Sequence, residues 1–291
     1  MRPFTKIAVP ACALIFCLTV LTASSARAAY QPINPDGSIN VGGASLFTAL
    51  AAGAQIGTGG STLQSVMTDG TLIVGNVGIG GQGTLSMAGS STIIGDLYMN
   101  DTGTVTFYTS AQVIGTKRGL NPPGNGISQQ SLLNSVLADS LNLSNAANAL
   151  ADTNNYIVAM GTFNGMTVNS SSSITLVGPA SGTVVLHLQD FVMTGGTFTL
   201  QGTSMTTFVI NVSRNFSLTN SQVVLSGGLL ASHVLFNVRN SGSVMKMNQG
   251  TSLQGILLGY KRTAFLNGGK VYGKLIANQL QLENGAQIIS Q

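Results

Sequence analysis

The chain has 291 residues, of which 12 are Lys or Arg and 8 are Asp or Glu, for a formal charge of +4. Charged residues make up only 7% and there are 37 Gly, yet Val, Ile, Leu and Phe recur at short intervals; a disordered, charge-rich chain is excluded. Both Cys, Cys12 and Cys17, lie among the first 28 residues, so a disulfide-built extracellular scaffold is not expected of the remainder.

Residues 1–28 carry the pattern of an export signal. Arg2 and Lys6 form a positive start, Ile7 to Val20 is an apolar run too short for a comfortable membrane span, and Ala26-Arg27-Ala28 offers small residues where a signal peptidase cuts. The mature protein is expected to begin at Ala29 and to be secreted, with no membrane insertion after cleavage. Neither Cys ends the apolar run as a lipid-modified Cys would. The mature part then carries nine basic and eight acidic side chains, close to neutral, and has no thiolate metal site or Cys nucleophile.

Residues 29–116 form a block of repeats. Ile73 to Ile79 returns twenty residues later as Ile93 to Met99, Gly83-Thr84-Leu85-Ser86-Met87 as Gly103-Thr104-Val105-Thr106-Phe107, and Ser90 to Gly95 as Ser110 to Gly115. Alternating strands broken at Gly with a period near twenty are the signature of stacked coils. Residues 117–152 depart from it. After the breaker Asn121-Pro122-Pro123-Gly124, Ser128 can cap a helix whose Leu132, Leu133, Val136, Leu137 and Leu141 fall at helical spacing, and Ser144 can restart it through Ala151. Its apolar stripe needs a surface to lie on.

Residues 153–291 return to repeats. Phe208 to Val212 is echoed 26 residues later by Val234 to Val238, Phe191 to Thr194 is echoed 25 later by Phe216 to Thr219, and Leu253 to Leu258 is echoed 18 later by Val271 to Ile276. These observations predict a mainly β fold, with the whole mature chain one β-solenoid domain carrying a single long α-helix.

The helix between two repeat blocks, the run Ser232-His233-Val234-Leu235-Phe236-Asn237-Val238 and the closing Leu253 to Leu258 and Val271 to Ile276 resemble the bacterial ice-binding-like β-helix proteins and the related choice-of-anchor A surface adhesins. The resemblance covers the mature chain. It implies a right-handed, three-sided β-helix with the helix packed alongside, in a secreted protein that binds a surface, uses no cofactor and catalyses nothing. Such adhesins end in a sorting or membrane tail, whereas this sequence stops at Ile288-Ile289-Ser290-Gln291, which argues against anchoring.

Solenoids also host polysaccharide lyases and hydrolases, which need paired carboxylates or acids gathered around a cation. The acids here are sparse, and Asp96 aligns with Asn76 in the repeat, so no acidic ladder forms. The best remaining pair is His187 with Asp190. His187, however, aligns with Asn211 and Asn237 in successive repeats, which points to a stacked polar ladder instead of a base.

Two features could bind an extended surface such as ice, a glycan or cell-surface matrix. Thr84 and Ser86, Thr104 and Thr106, and Thr197 and Thr199 alternate with apolar residues, so their hydroxyls are expected to point out as a ladder. Lys261, Arg262, Lys270 and Lys274, interleaved with Tyr260 and Tyr272, form a basic cluster suited to an anionic glycan, and nucleic acid is not expected as a partner of an exported protein. The plainer readings are that Thr suits an exposed strand and that charges blunt an open sheet edge.

Overall fold

The computed structural model describes residues 30–53, 64–81, 83–153, 165–168, 173–240, 242 and 244–291; the predicted export signal and both Cys lie outside the described residues. Ten strands precede the helix: β1 (Ala49–Ala51), β2 (Gln64–Met67), β3 (Leu72–Val74), β4 (Val77–Ile79), β5 (Thr84–Met87), β6 (Thr92–Ile94), β7 (Leu97–Met99), β8 (Thr104–Phe107), β9 (Gln112–Ile114) and β10 (Lys117–Arg118). Helix α1 spans Gln130–Ala149. Eleven strands follow: β11 (Gly165–Val168), β12 (Ser173–Val177), β13 (Gly182–Thr194), β14 (Thr197–Gln201), β15 (Thr206–Thr219), β16 (Gln222–Ser226), β17 (Val234–Val238), β18 (Met245–Met247), β19 (Ser252–Asn267), β20 (Lys270–Glu283) and β21 (Gln287–Ile289).

All named strands pair in parallel, and the chain visits three ladders in fixed rotation, as coils of a β-helix do. The first ladder stacks β13, β15, β17, β19, β20, β1, β4, β7 and β10. The second stacks β11, β13, β15, β18, β19, β20, β2, β5 and β8. The third stacks β12, β14, β16, β19, β20, β21, β3, β6 and β9. Each repeat offset in the sequence is the register offset between neighbours: Ile73 pairs with Ile93, Phe208 with Val234, Phe191 with Phe216 and Leu253 with Val271.

The coils are not stacked in chain order. The last coil of the C-terminal block lies on the first coil of the N-terminal block, with Leu275 beside Ala49, Leu282 beside Met67 and Ile288 beside Ile73. Backbone hydrogen bonds close this seam, among them Leu275 N to Thr48 O at 2.9 Å and Ala52 N to Ala277 O at 2.6 Å. The buried column of the third ladder runs straight through: Phe198, Val223, Leu253, Val271, Ile288, Ile73 and Ile93. An aromatic cluster fills the C-terminal block, where Phe191 stacks on Phe216 at 5.6 Å and meets Phe236 at 5.3 Å.

The turn from the third ladder to the first requires glycine. Gly95 and Gly115 have φ of 150° and 158°, and a Cβ on either would be driven into the carbonyl of the glycine one coil below, Gly75 or Gly95. Beside this corner the Asn76 side-chain oxygen accepts the Asp96 N–H at 2.9 Å and the Asp96 carboxylate accepts the Thr116 N–H at 2.8 Å. The aligned Asn76 and Asp96 are therefore a structural stack.

Helix α1 is continuous where a break at Ser144 was allowed for, and the Ser128 hydroxyl accepts the Gln130 N–H at 3.3 Å. It covers the outer side of the first ladder on both sides of the seam. Leu133, Val136, Leu143 and Ala147 share one buried cluster with Leu50 and Tyr98 of the N-terminal block and with Val185, Val209, Leu235, Ile256 and Ile276 of the C-terminal block. Of the predicted stripe, Leu133 and Val136 are buried, while Leu132, Leu137 and Leu141 are half-buried; Ser140 and Ser144 take the remaining buried positions.

The C-terminal end of α1 has no basic residue in its last turn, so its free carbonyls need other donors. The polar ladder on the coils below supplies them. Asn211 donates to Ala147 O at 3.0 Å, Asn237 donates to Ser144 O at 2.9 Å and to the Asn211 side chain at 2.8 Å, and the Ser144 hydroxyl donates back to Asn237 at 2.8 Å. His187 Nε2 lies 3.1 Å from Asn148 O.

A strap at residues 30–47 completes the packing. Ile39 N donates to Ser232 O at 2.8 Å, and Gly43 N donates to the Asp139 carboxylate on α1 at 2.8 Å. Tyr30 donates to Asn40 O, and its phenol is pushed up to about 12 by burial first and by Asp139 second.

Two stability tests follow from this packing. Gly95→Ala is expected to lower stability by about 2 kcal/mol or more, beyond the roughly 1–2 kcal/mol of left-handed strain alone. Gly285→Ala, at φ 74° with open space around it, carries only the strain and is the reference; equal denaturant midpoints for the two would remove the steric requirement at the corner. Asn237→Leu keeps the volume but leaves the Ser144 hydroxyl and the Asn211 carbonyl oxygen unpaired. It should cost about 2–3 kcal/mol in a chemical denaturation curve, and a wild-type midpoint would show that the polar ladder does not hold the helix.

Candidate functional site

With α1 over the first ladder, the outward rows of the second and third ladders remain. Inward residues alternate with outward ones, so outward neighbours stand about 6.8 Å apart along a strand and about 4.8 Å apart between coils.

The structure divides the predicted hydroxyl ladder between these two rows. Thr84 pairs with Thr104 and Ser86 with Thr106 on the second ladder, with Thr104 and Thr106 exposed. Thr197 and Thr199 lie on the third ladder, where they face Ser173 and Thr175 on one side and Gln222 and Val224 on the other. A single ladder through all six residues is therefore corrected to two separate patches. The shared Gly-Thr-x-Thr pattern fixes which side chains point out but not which ladder they belong to.

The second ladder carries charge among its hydroxyls. Asp190, Lys246 and Glu283 stand on it, and Phe265 lies between Lys246 and Gln281. Asp190 forms a bidentate pair with Arg214, accepts the Asn215 amide at 2.7 Å, and its carboxyl is held below the usual range by Arg214 first.

The third ladder is nearly uncharged. Lys270 is the one charged residue among its outward positions in the described chain. Thr175, Thr199 and Val224 stand in register on one side of the β16–β19 pairing, which runs only through Gln222–Ser252 and Val223–Leu253, and Gln254, Tyr272, Ile289, Val74, Ile94 and Ile114 stand in register on the other. Ile94 and Ile114 are 43% and 54% exposed. This row of β-branched residues was not singled out in the sequence. Its signal is the recurring Ile-Ile-Gly, Val-Ile-Gly and Ile-Ile-Ser at residues 93–95, 113–115 and 288–290.

The basic cluster does not form a patch. Arg262 is buried, and its guanidinium donates to the Arg239 carbonyl at 3.1 and 2.7 Å. Lys274 is half-buried and donates to Ser45 O and Phe47 O at 2.8 and 2.7 Å. Lys270 stands on the third ladder, and Lys261 is exposed beside Tyr260 at the edge of α1. Neighbours in sequence are separated here because a coil turns from ladder to ladder within a few residues.

His187 and Asp190 are not a pair either. His187 Nδ1 sits 2.6 Å from Asp152 beyond the end of α1, and Asp190 belongs to Arg214. Two other acids have structural partners: Asp96 holds Arg118, with its carboxyl lowered by the Thr116 N–H first, and Asp101 accepts the Ser128 hydroxyl at 2.6 Å. Among the described residues no helix is long and apolar enough to cross a membrane, and no three His, Cys, Asp or Glu side chains gather as a metal site would require.

Solved structures that resemble this one include ice-binding proteins. A glycosylated ice-binding protein (LeIBP) from Arctic yeast matches at 18% identity and a TM-score of 0.53, over 86% of this chain and 93% of that one. A second structure of an ice-binding protein (LeIBP) from Arctic yeast, described for its antifreeze activity, matches at 19% identity and a TM-score of 0.50, over 89% and 96%. At these identities the likeness is one of fold. No curated protein matches the sequence. The sequence model of the family described as "Putative Ice-binding-like adhesive domain" matches residues 35–289, nearly the whole of the described chain, and the protein belongs to that family.

Proposed function

We propose that the protein is a secreted, non-catalytic binder of an extended surface, and that the outward row of the third ladder is its contact face. The observation that carries this reading is the almost charge-free outward row of the third ladder, with the hydroxyls of Thr175 and Thr199 at one end and the in-register aliphatic column of Ile289, Val74, Ile94 and Ile114 at the other. A rigid row of this kind meets a repeating surface without desolvating ions, which a charged face cannot do. The membership in an ice-binding-like adhesive family supports a surface as partner. We take the coil as right-handed and three-sided, as right-handed parallel crossovers and the three-ladder rotation support. Export through residues 1–28, with a mature start at Ala29, belongs to the same reading.

Ice is the second reading. It is favoured by the exposed Thr104 and Thr106 in register with Thr84 and Ser86, and by the ice-binding function named for the Arctic yeast proteins. On this reading the second ladder is the contact face, and the hydroxyl spacings approximate a lattice.

Paired variants separate the two. Thr199→Tyr with Ile94→Lys should reduce retention on the bound surface by about tenfold or more, roughly 1.4 kcal/mol, while Thr106→Tyr leaves it unchanged; all variants should keep the wild-type melting point. Retention is measured by ice-affinity partition and on a glycan array. Loss with Thr106→Tyr and none with the double variant would reject the third ladder in favour of the second. Release of reducing sugar or unsaturated product from a polysaccharide would contradict the non-catalytic reading.

A further inference from the structure

A cavity of about 380 Å³ lies between the strap at 34–45 and the corner formed by residues 231–232 and 273–274, with Gln291 also in its lining, next to the third-ladder positions Tyr272 and Ile289. Its size is at the lower end of small-molecule sites, with room for a monosaccharide. Ile256 and Val41 give it an apolar wall, and Ser45, Ser232 and Lys274 give it polar groups. The Ser45 and Ser232 side chains are exposed and make no hydrogen bond to the described chain. Lys274 is the group that needs an explanation. Two of its three N–H donors hold the carbonyls of Ser45 and Phe47, which anchors the strap, and one donor is left over. Its ammonium is half-buried and has no carboxylate within ion-pair distance among the described residues. Burial pushes its pKa down, in keeping with a cation that lacks a counter-charge. The acids nearest in the strap and helix are engaged elsewhere: Asp36 accepts Ser38, and Asp139 accepts the Gly43 N–H.

We propose that this cavity is a binding site for an acidic monosaccharide, a hexuronate, with its carboxylate on Lys274 Nζ and its hydroxyls on Ser45 and Ser232. The site is independent of the surface-contact face and stands whether or not that reading holds.

The test is a titration of the exported full chain with galacturonate, followed through the backbone amide NMR shifts of Ser45, Ser232 and Lys274. Galactose, acetate and inorganic phosphate serve as comparison ligands. Galacturonate should bind at least about tenfold more tightly than any of the three, because it alone offers both the charge and the ring. Lys274→Gln should weaken it by about tenfold or more through loss of the charge-assisted bond. Because that substitution also loosens the strap, Ser232→Phe provides a second variant that fills the cavity and leaves Lys274 in place; it should abolish binding with an unchanged melting point. Lys270→Gln, on the third ladder, should bind as wild type. Absence of shifts at tens of millimolar galacturonate, equal binding of galactose or phosphate, or full binding by Ser232→Phe would each overturn the proposal.

Discussion

The whole architecture depends on parallel backbone pairing in exact register from coil to coil. Each coil both donates hydrogen bonds to and accepts them from the coil on either side, so the unpaired edge at the end of one block offers the donors and acceptors that another block needs. The C-terminal block ends on β20 and β21, whose free edges take up β1, β2 and β3. That seam turns two stacks of unequal repeat length into one. It also buries side chains that a block alone would leave half-covered: Met67, Ile73, Leu282 and Ile288 are all closed, whereas Val105, Phe107 and Val113 in the last N-terminal coil are only partly buried.

Helix α1 and the strap act on this seam from outside. A helix of 20 residues is about 30 Å long, enough to span roughly six coils at about 4.8 Å each. Leu133 and Val136 belong to the same buried cluster as Leu50 and Tyr98, and the end of the helix is held by Asn211 and Asn237. The polar ladder fixes where the helix stops, since apolar contacts alone would tolerate sliding along the column of Val185, Val209 and Leu235. The geometric consequence is that α1 covers the first ladder, while the outward rows of the other two stay uncovered by it.

Much of this was legible in the sequence because strand register leaves a constant offset. Offsets of 18, 20, 25 and 26 residues are the observed pairings, and the alignment of His187, Asn211 and Asn237 survives as a real column. The seam was hidden because it joins residues more than 200 positions apart through N-terminal strands of three or four residues, and no repeat spacing connects Leu275 to Ala49. The faint signal was local: Ala286-Gln287-Ile288-Ile289 repeats Ala111-Gln112-Val113-Ile114. The candidate sites were less legible. Alternation separates inward from outward residues but is the same on every ladder, so Thr197 and Thr199 looked equivalent to Thr104 and Thr106. Charge counts along the chain ignore burial, so Arg262, which donates to a backbone carbonyl, looked like a surface cation.

Native-state amide hydrogen exchange at the seam tests the central claim most directly. The amides of Leu275, Ala52, Thr68 and Leu72 bond across it. The account predicts that they exchange only through opening of the whole molecule, with protection equal to that of Val209 and Leu235 in the middle of the C-terminal block. Exchange at those four amides as fast as at Thr104 to Phe107 in the terminal coil, while Val209 and Leu235 stay protected, would mean that the two blocks are not one stack.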